Sequence, residues 1–354
     1  MKPLTIIGGG LAGLTLGIAL RQRAVPVTIL EAGRYPRHRV CGEFISGHGL
    51  NALERLGLLH LLERTGARGA STAAFFTTSR CSGAQTLPRA ALCLSRHRLD
   101  AALAQFFVEL GGELLTGTRA KPDFTEGVIG ATGRRARAID RGWRWIGLKA
   151  HARNVQLTAD LEMHLARDSY VGLCRLAEGT VNVCGLFRRR AQAQGAEVIR
   201  ELRGEPGSLL SARLERAEFL PESVCAIAAL SLLREPVDAG VCRVGDALMM
   251  IPPITGNGMS MAFEAAELAS DPLIEYARGE TQWFETTGVI AARLRQRFAR
   301  RLWWAGALHR ILFHGGCREA FLPLFLRSTA LWRAVFEVTR TAPGPAVGVG
   351  RVCT

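Results

Sequence analysis

The sequence predicts an α/β protein: a doubly wound, Rossmann-like nucleotide domain, interrupted by an inserted antiparallel-sheet substrate domain and followed by C-terminal helices. Three observations carry that prediction. Gly8-x-Gly10-x-x-Gly13 joins an apolar strand to a helix near the N-terminus. Four strand-like runs with short polar breaks follow one another between residues 143 and 187. At Val241 to Val244 the chain then returns to a buried strand that ends in Gly-Asp and leads to a second glycine-rich turn.

Taken in order, residues 4–7, 11–22 and 27–30 read as strand, helix and strand, one parallel β-α-β unit. Leu50, Leu53, Leu56 and Leu59 give residues 48–64 a helical spacing, while 70–94 alternate around Ser82-Gly83 like a hairpin. A helix over 97–110 and strands over 113–120 and 127–131 follow, the latter pair rejoining the first sheet. Trp143 to Ala150, Asp160 to Ala166, Tyr170 to Leu176 and Thr180 to Phe187 are the four runs of the inserted sheet. Helices are expected at 189–217, from about Gly258, and through most of 271–338, with a poorly ordered tail from Ala342-Pro343-Gly344-Pro345. The nucleotide domain is therefore expected in three parts (1–69, 96–138, 224–270), with 70–95 and 139–223 forming the substrate domain and 271–354 the helical end.

The composition narrows the function. With 354 residues, 48% hydrophobic and 21% charged, the chain buries a full core and is neither disordered nor fibrous. The net charge of +14 comes from 45 basic residues, of which only Lys2, Lys121 and Lys149 are lysine. These charges are spread from Arg21 to Arg351 rather than clustered with aromatics, which argues against nucleic acid and favours an anionic cofactor, an acidic substrate or an anionic lipid surface. Nine cysteines without a C-x-x-C pair suggest a reducing compartment, and the start of the chain has no secretory pattern, so a cytoplasmic protein is expected. The eight histidines lack metal-ligand spacing, and no G-x-S-x-G elbow is present; neither a metal site nor a hydrolase is expected.

The glycines of the first turn allow backbone to approach a pyrophosphate at a helix N-terminus, and Glu31, eighteen residues beyond Gly13, is placed to accept ribose hydroxyls. Ala12 lies inside that turn. The second segment distinguishes a flavin from a nicotinamide: Gly245-Asp246 can bond a polyol hydroxyl, and Gly256-Asn257-Gly258-Met259 opens a helix toward a negatively polarised ring carbonyl, with Pro252 and Pro253 as its wall.

On these motifs, residues 1 to about 270 resemble the FAD-dependent oxidoreductases of the p-hydroxybenzoate hydroxylase and geranylgeranyl reductase superfamily. Pro36-Arg37-His38-Arg39-Val40-Cys41-Gly42-Glu43 is similar to the reductase segment that lies along the flavin, which implies cofactor contacts at Arg39, Cys41 and Gly42. The resemblance also implies that Arg96, in Leu94-Ser95-Arg96, reaches the FAD phosphate or ribityl region and that Ala120 contacts adenine from a strand. Gly130-Ala131-Thr132-Gly133 stands where the hydroxylases carry Ala-Asp-Gly. Trp143-Arg144-Trp145-Ile146-Gly147 is similar to the halogenase Trp-x-Trp-x-Ile-Pro motif, but its proline is missing and its position differs.

The resemblance implies bound FAD with NAD(P)H as transient reductant, and two chemistries. An oxygen-inserting hydroxylase or epoxidase of an apolar, aromatic or polyketide-like substrate is the leading expectation; a reductase of carbon–carbon double bonds in an isoprenoid-like substrate is the alternative, and a nucleotide binder without turnover is the reading from another class. No catalytic residue is singled out. Cys41 reads either as a reactive thiol or as a small packed residue, and Glu43 as an acid or base. Arg293, Arg295, Arg297, Arg300 and Arg301, alternating with Trp303, Trp304, Leu312, Phe313, Phe321, Leu324 and Phe325, suit ordinary core or a helix in peripheral contact with a membrane.

Overall fold

A computed structural model describes residues 1–120, 123–134, 142–190, 197–228, 230 and 240–340. β1 (Leu4–Ile7), α1 (Leu11–Arg21) and β2 (Val27–Glu31) are the expected unit, with Ile6 opposite Ile29 in parallel register. β3 (Phe44–Ser46), α2 (His48–Arg55), α3 (Leu59–Arg64), β4 (Arg68–Phe76), β5 (Cys81–Cys93), α4 (Arg96–Glu109), β6 (Glu113–Thr116) and β7 (Val128–Gly130) follow. Next come β8 (Trp143–Arg153), β9 (Leu161–Leu165), β10 (Ser169–Arg175), β11 (Val181–Arg190), α5 (Val198–Arg203), α6 (Leu209–Arg213), β12 (Glu218–Ile227) and β13 (Cys242–Arg243). The chain ends in α7 (Gly258–Arg278), α8 (Trp283–Phe313), α9 (Gly315–Arg327) and α10 (Thr329–Val338).

Two sheets result. The first is all parallel in the order β13-β7-β1-β2-β6, so the chain reverses its winding between β1 and β7. In such sheets the crevice at the carboxyl ends of the strands beside that reversal is the natural ligand site. α1 is buried on every side from Leu11 to Leu20, because α4 and α7 pack on it in addition to the sheet. This explains its nearly uninterrupted apolar sequence, and each fully buried leucine or isoleucine there contributes roughly 1.5–3 kcal/mol.

The second sheet has eight strands in the order β12-β8-β11-β10-β9-β4-β5-β3. Its strands alternate. Ile146, Leu148, Ala150, Val171, Leu173, Val181 and Val183 pack under α5 and α6, and their neighbours on the opposite face look into a cavity. α8 packs on α7, and α9 and α10 bring Phe325, Trp332 and Phe336 against Ala70, Ala73 and Leu87 of β4 and β5.

The structure corrects several expectations. The helix expected over 48–64 breaks at Gly57, whose φ of 68° ends α2 before α3 begins. The hairpin turns at residues 77–80, where the Thr77 hydroxyl accepts from Arg80 N at 3.0 Å; Ser82-Gly83 instead lies in a bulge of β5. β6 stops at Thr116, so Ala120 reaches its position from a loop and not from a strand. β11 runs on to Arg190, and β12 crosses the domain boundary expected at 223/224. Phe44–Ser46, Arg68–Gly69 and Val224–Ile227 thus belong to the second sheet, and the pairing of β4 with β9 makes that sheet mixed rather than purely antiparallel. The tail from Ala342 lies outside the described residues.

Candidate functional site

The reversal between β1 and β7 opens into one cavity of about 810 Å³, toward the upper end of small-ligand sites (roughly 300–1,000 Å³). Gly8, Gly10 and Ala12 line it at the start of α1. Gly8, at φ 112°, crosses so near β7 that a Cβ would stand 2.3 Å from the carbonyl oxygen of Ala131. Gly10 is the opposite case, since nothing lies within 4 Å of its Cβ position. α1 has no side-chain cap and no acidic residue in its first turn, leaving donors and the positive dipole end to whatever fills that space. Gly13 does not face the cavity: a Cβ there would meet the Gly8 carbonyl oxygen at 2.0 Å, so its role is close packing of helix on strand.

Glu31 ends β2 at the cavity wall. It accepts from Gly9 N at 2.8 Å and Gly33 N at 2.7 Å and pairs with Arg37 at 2.8 Å. Burial raises its pKa, but those hydrogen bonds and the arginines prevail and hold the carboxyl below its ordinary range. Arg39 stands between two carboxylates, Glu31 at 3.7 Å and Asp100 at 3.5 Å, with its Nε buried and without a hydrogen-bond acceptor. Arg96, at the start of α4, makes a two-pronged pair with Asp100 at 2.6 and 2.8 Å and also lines the cavity. Ala120 is beside them.

The Cys41-Gly42-Glu43 segment passes along the cavity, and Gly42 has open space at its Cβ position. Glu43 is fully buried at φ 57°, a left-handed conformation that costs a non-glycine residue roughly 1 kcal/mol or more. Its carboxylate accepts from Arg96 N at 2.9 Å, lies 2.7 Å from His151 Nε2 and pairs with Lys149 at 3.4 Å. Lys149 Nζ is also 3.0 Å from His38 Nδ1, and His38 stacks on His97 with ring centroids 4.4 Å apart. Burial and the adjacent Lys149 lower the His38 pKa to about 4, so its imidazole is neutral. Burial opposes ionisation of Glu43, but the His151 hydrogen bond and the Lys149 charge outweigh it and keep the group an anion. Of this network the sequence pointed only to Glu43 and Arg96, and not to Lys149, His151, His38 or His97. Its signal was available: Lys149 and His151 alternate with Leu148 and Ala150 on one strand, and Lys149 is one of three lysines.

From the far side, Asp246 lines the cavity and accepts from Arg134 Nε at 3.3 Å. Gly245 itself does not; at φ 61° it passes Ala12, whose Cβ is 2.8 Å from the Cβ position. Pro253, Gly256, Gly258 and Met259 line the cavity where α7 begins, again without a side-chain cap or an acidic first turn. Pro252 is not among the lining residues. Beyond this turn the cavity becomes apolar, walled by Met163, Leu165 and Tyr170 of the second sheet, by Leu308 and Leu312 of α8, and by Phe321, Phe325, Trp332 and Phe336 of α9 and α10. Trp145 does not line it but packs on Phe313, with ring centroids 4.6 Å apart.

Fourteen of the sixteen expected contact residues therefore share one surface, and Gly13 and Gly245 support it from behind. Two uncapped helix ends and the open space at Gly10, Gly42 and Gly258 fit a dinucleotide whose ring end meets an apolar chamber. Among the described residues no His, Cys, Asp and Glu cluster could hold a metal, and no helix is long and apolar enough to cross a membrane.

Residues 2–136 match the family described as FAD binding domain. A 60-residue stretch is 40% identical to squalene epoxidase erg1 of Aspergillus fumigatus, a match that spans 17% of this chain and 12% of that protein. The whole fold is similar to the flavin-dependent brominase Bmp2 (TM-score 0.74, 17% identity, 95% of this chain and 92% of that one). It is also similar to PqsL of Pseudomonas aeruginosa, solved in complex with 2-aminobenzoylacetate (TM-score 0.67, 18% identity, 90% and 98%), and to the halogenase PltM (TM-score 0.69, 15% identity, 97% and 89%).

Proposed function

We propose, from the FAD binding domain that residues 2–136 match, that this chain is an FAD-dependent oxidoreductase of the p-hydroxybenzoate hydroxylase type, an NAD(P)H-dependent monooxygenase that hydroxylates or epoxidises an apolar small molecule. One observation carries the reading: the cavity that begins at the Gly8 and Gly10 turn ends in an aromatic and aliphatic chamber, so a cofactor site and a lipophilic substrate site are continuous. When bound, FAD supplies the electron transfer and oxygen activation. The chain supplies the rest. The α1 N-terminus and Arg39 would hold the pyrophosphate, Glu31 and Ala120 the adenosine end, Asp246 the polyol, and the α7 N-terminus the ring. The apolar wall of α8–α10 excludes water and orients substrate by shape.

The reading is tested by the visible spectrum of the purified protein, by identification of the released cofactor, and by product mass after NAD(P)H-driven turnover of lipophilic aromatic and alkene substrates. Gain of one oxygen is expected. Gain of two hydrogens would replace the reading with double-bond reduction, gain of halogen in the presence of halide would replace it with halogenation, and FAD binding without turnover would leave a nucleotide-binding protein. Asp246→Ala is expected to strip FAD; full flavin occupancy in that variant would overturn the polyol assignment.

The surroundings of the chamber extend the proposal. Trp303, Trp304 and Leu324 are exposed on α8 and α9, and Arg300 and Arg310 are exposed on α8. An anionic membrane complements such a surface in charge and polarity, so we place the protein in the cytoplasm with peripheral contact to anionic lipid. Co-sedimentation with phosphatidylserine vesicles and not with neutral ones is expected; equal binding to both, or to neither, would refute it.

A further inference from the structure

We infer that the guanidinium of Arg340 is a fixed positive charge held behind the turn that opens α7, where it favours the reduced over the oxidised cofactor. The inference rests on the FAD reading above and deepens it.

Arg340 follows α10 and reaches back to the cavity wall. Its Nη2 donates to the Thr255 carbonyl oxygen at 2.7 Å and its Nε to Ser46 Oγ at 2.9 Å, while Nη1 lies 3.3 Å from Thr339 Oγ1. The guanidinium lies over the Phe336 ring, 3.8 Å from its centroid. Asn257 in the same turn donates to the Thr339 carbonyl oxygen at 2.7 Å, so the end of the helical region and the α7 turn are tied at two points. A Cβ on Gly256 would stand 4.0 Å from Nη2. Thr255, Gly256, Gly258 and Arg340 all line the cavity.

All the hydrogen-bond acceptors named for Arg340 are neutral oxygens. The buried Arg96 and Arg301 face carboxylates, Asp100 and Glu264, whereas half-buried Arg21 and Arg203 bond backbone carbonyl oxygens as Arg340 does. Among the described residues no carboxylate pairs with Arg340. Arg340 is half-buried at the cavity wall, and shielding a cation from water without a counter-ion is costly, a cost that an aromatic face repays only in part. Burial and the like charge of Arg301 lower its pKa to about 9, which leaves it protonated at neutral pH. A site that holds a cation without a carboxylate partner among the described residues, beside an uncapped helix N-terminus, is built for an anion that arrives. On the FAD reading, the group brought to this turn is the ring, which gains negative charge when it is reduced. Arg340 is thus a positioning residue in an electrostatic sense, acting through the Thr255–Gly256 backbone.

The test is the midpoint potential of bound FAD, measured by reductive titration against a reference dye, in wild type, Arg340→Lys, Arg340→Gln and Arg340→Met. The two neutral variants are expected to lose at least tenfold of the preference for reduced over oxidised FAD, a fall of about 30 mV for a two-electron couple. The lysine variant, which keeps the charge but not the fork of hydrogen bonds, is expected within threefold of wild type. A latch that only ties α10 to the turn would loosen in all three variants, as limited proteolysis reads, without moving the potential. An unchanged potential in FAD-loaded glutamine or methionine protein overturns this inference alone, as does an equal fall in the lysine variant. A wild-type protein that takes up no FAD overturns the FAD reading and this inference with it.

Discussion

At the residue scale, Gly8 and Gly10 do different work although one motif contains both. Gly8 is demanded by the fold: it has a left-handed φ and no room against Ala131. Gly8→Ala is therefore expected to lower stability by more than about 1 kcal/mol, read as a fall in the urea midpoint. Gly10 has open space, so Gly10→Ala is expected to leave thermal stability of the cofactor-free protein unchanged while weakening FAD binding at least tenfold, measured by flavin fluorescence titration. Equal damage in both assays for both variants would show that Gly10 too serves only packing. The motif was legible because the restriction it answers is local. Arg340 was not, since its role depends on a turn 85 residues earlier in the chain, a juxtaposition that has no sequence signature.

Among the elements, α7 and α8 are held together by a buried ion cluster: Glu264, 1% exposed, pairs with Arg301 at 2.6 Å and Arg297 at 2.8 Å. Removing the anion leaves a buried guanidinium uncompensated, so Glu264→Gln is expected to cost roughly 3–5 kcal/mol in denaturant unfolding. The double variant Glu264→Leu with Arg301→Met is expected to recover most of that; if it is as unstable as the single variant, the cost lies in packing and not in charge. The same helices show where reading by periodicity stops. The Arg and Trp alternation of 293–304 suited core or interface, and the structure divides it by residue: Arg301 points inward, whereas Trp303 and Trp304 face outward. β12 was missed for a related reason. Pro221 and the acidic Glu218 and Glu222 interrupt its apolar residues, and it is a strand because it pairs with β8 at the edge of the sheet, where proline is tolerated.

For the whole molecule, burial holds the pKa of His38, His48, His97, His164 and His309 below the ordinary histidine value, to about 4 for His38 and His309. The unfolded chain therefore binds more protons than the folded one between about pH 6.5 and 4, and stability rises with pH across that window. Glu31, Glu43, Asp160 and Glu162, each held low by hydrogen bonds and neighbouring cations despite burial, add their loss at the acid end. The melting temperature is expected to fall from pH 7.5 to pH 5, and a flat or rising profile would contradict the buried neutral histidines. The division into two sheets was legible from the change of texture at residue 143, but the boundaries were not. They are set by which strand finds which edge, and Phe44–Ser46 joins the second sheet only through its pairing with the end of β5.

The parallel sheet closes only when β13 pairs with β7, 235 residues after Gly8. During synthesis at about 5–20 residues per second, the first turn waits roughly 10–50 s for its other wall. From the synthesis of β7 until that of β13 the edge of β7 is unpaired, a template for association with other nascent chains. Cofactor cannot be gripped from both sides before release of the Gly245–Gly258 segment, so loading is a late event on the ribosome or follows it, and yield in a heterologous host should respond to slowed translation and chaperones before it responds to flavin supply.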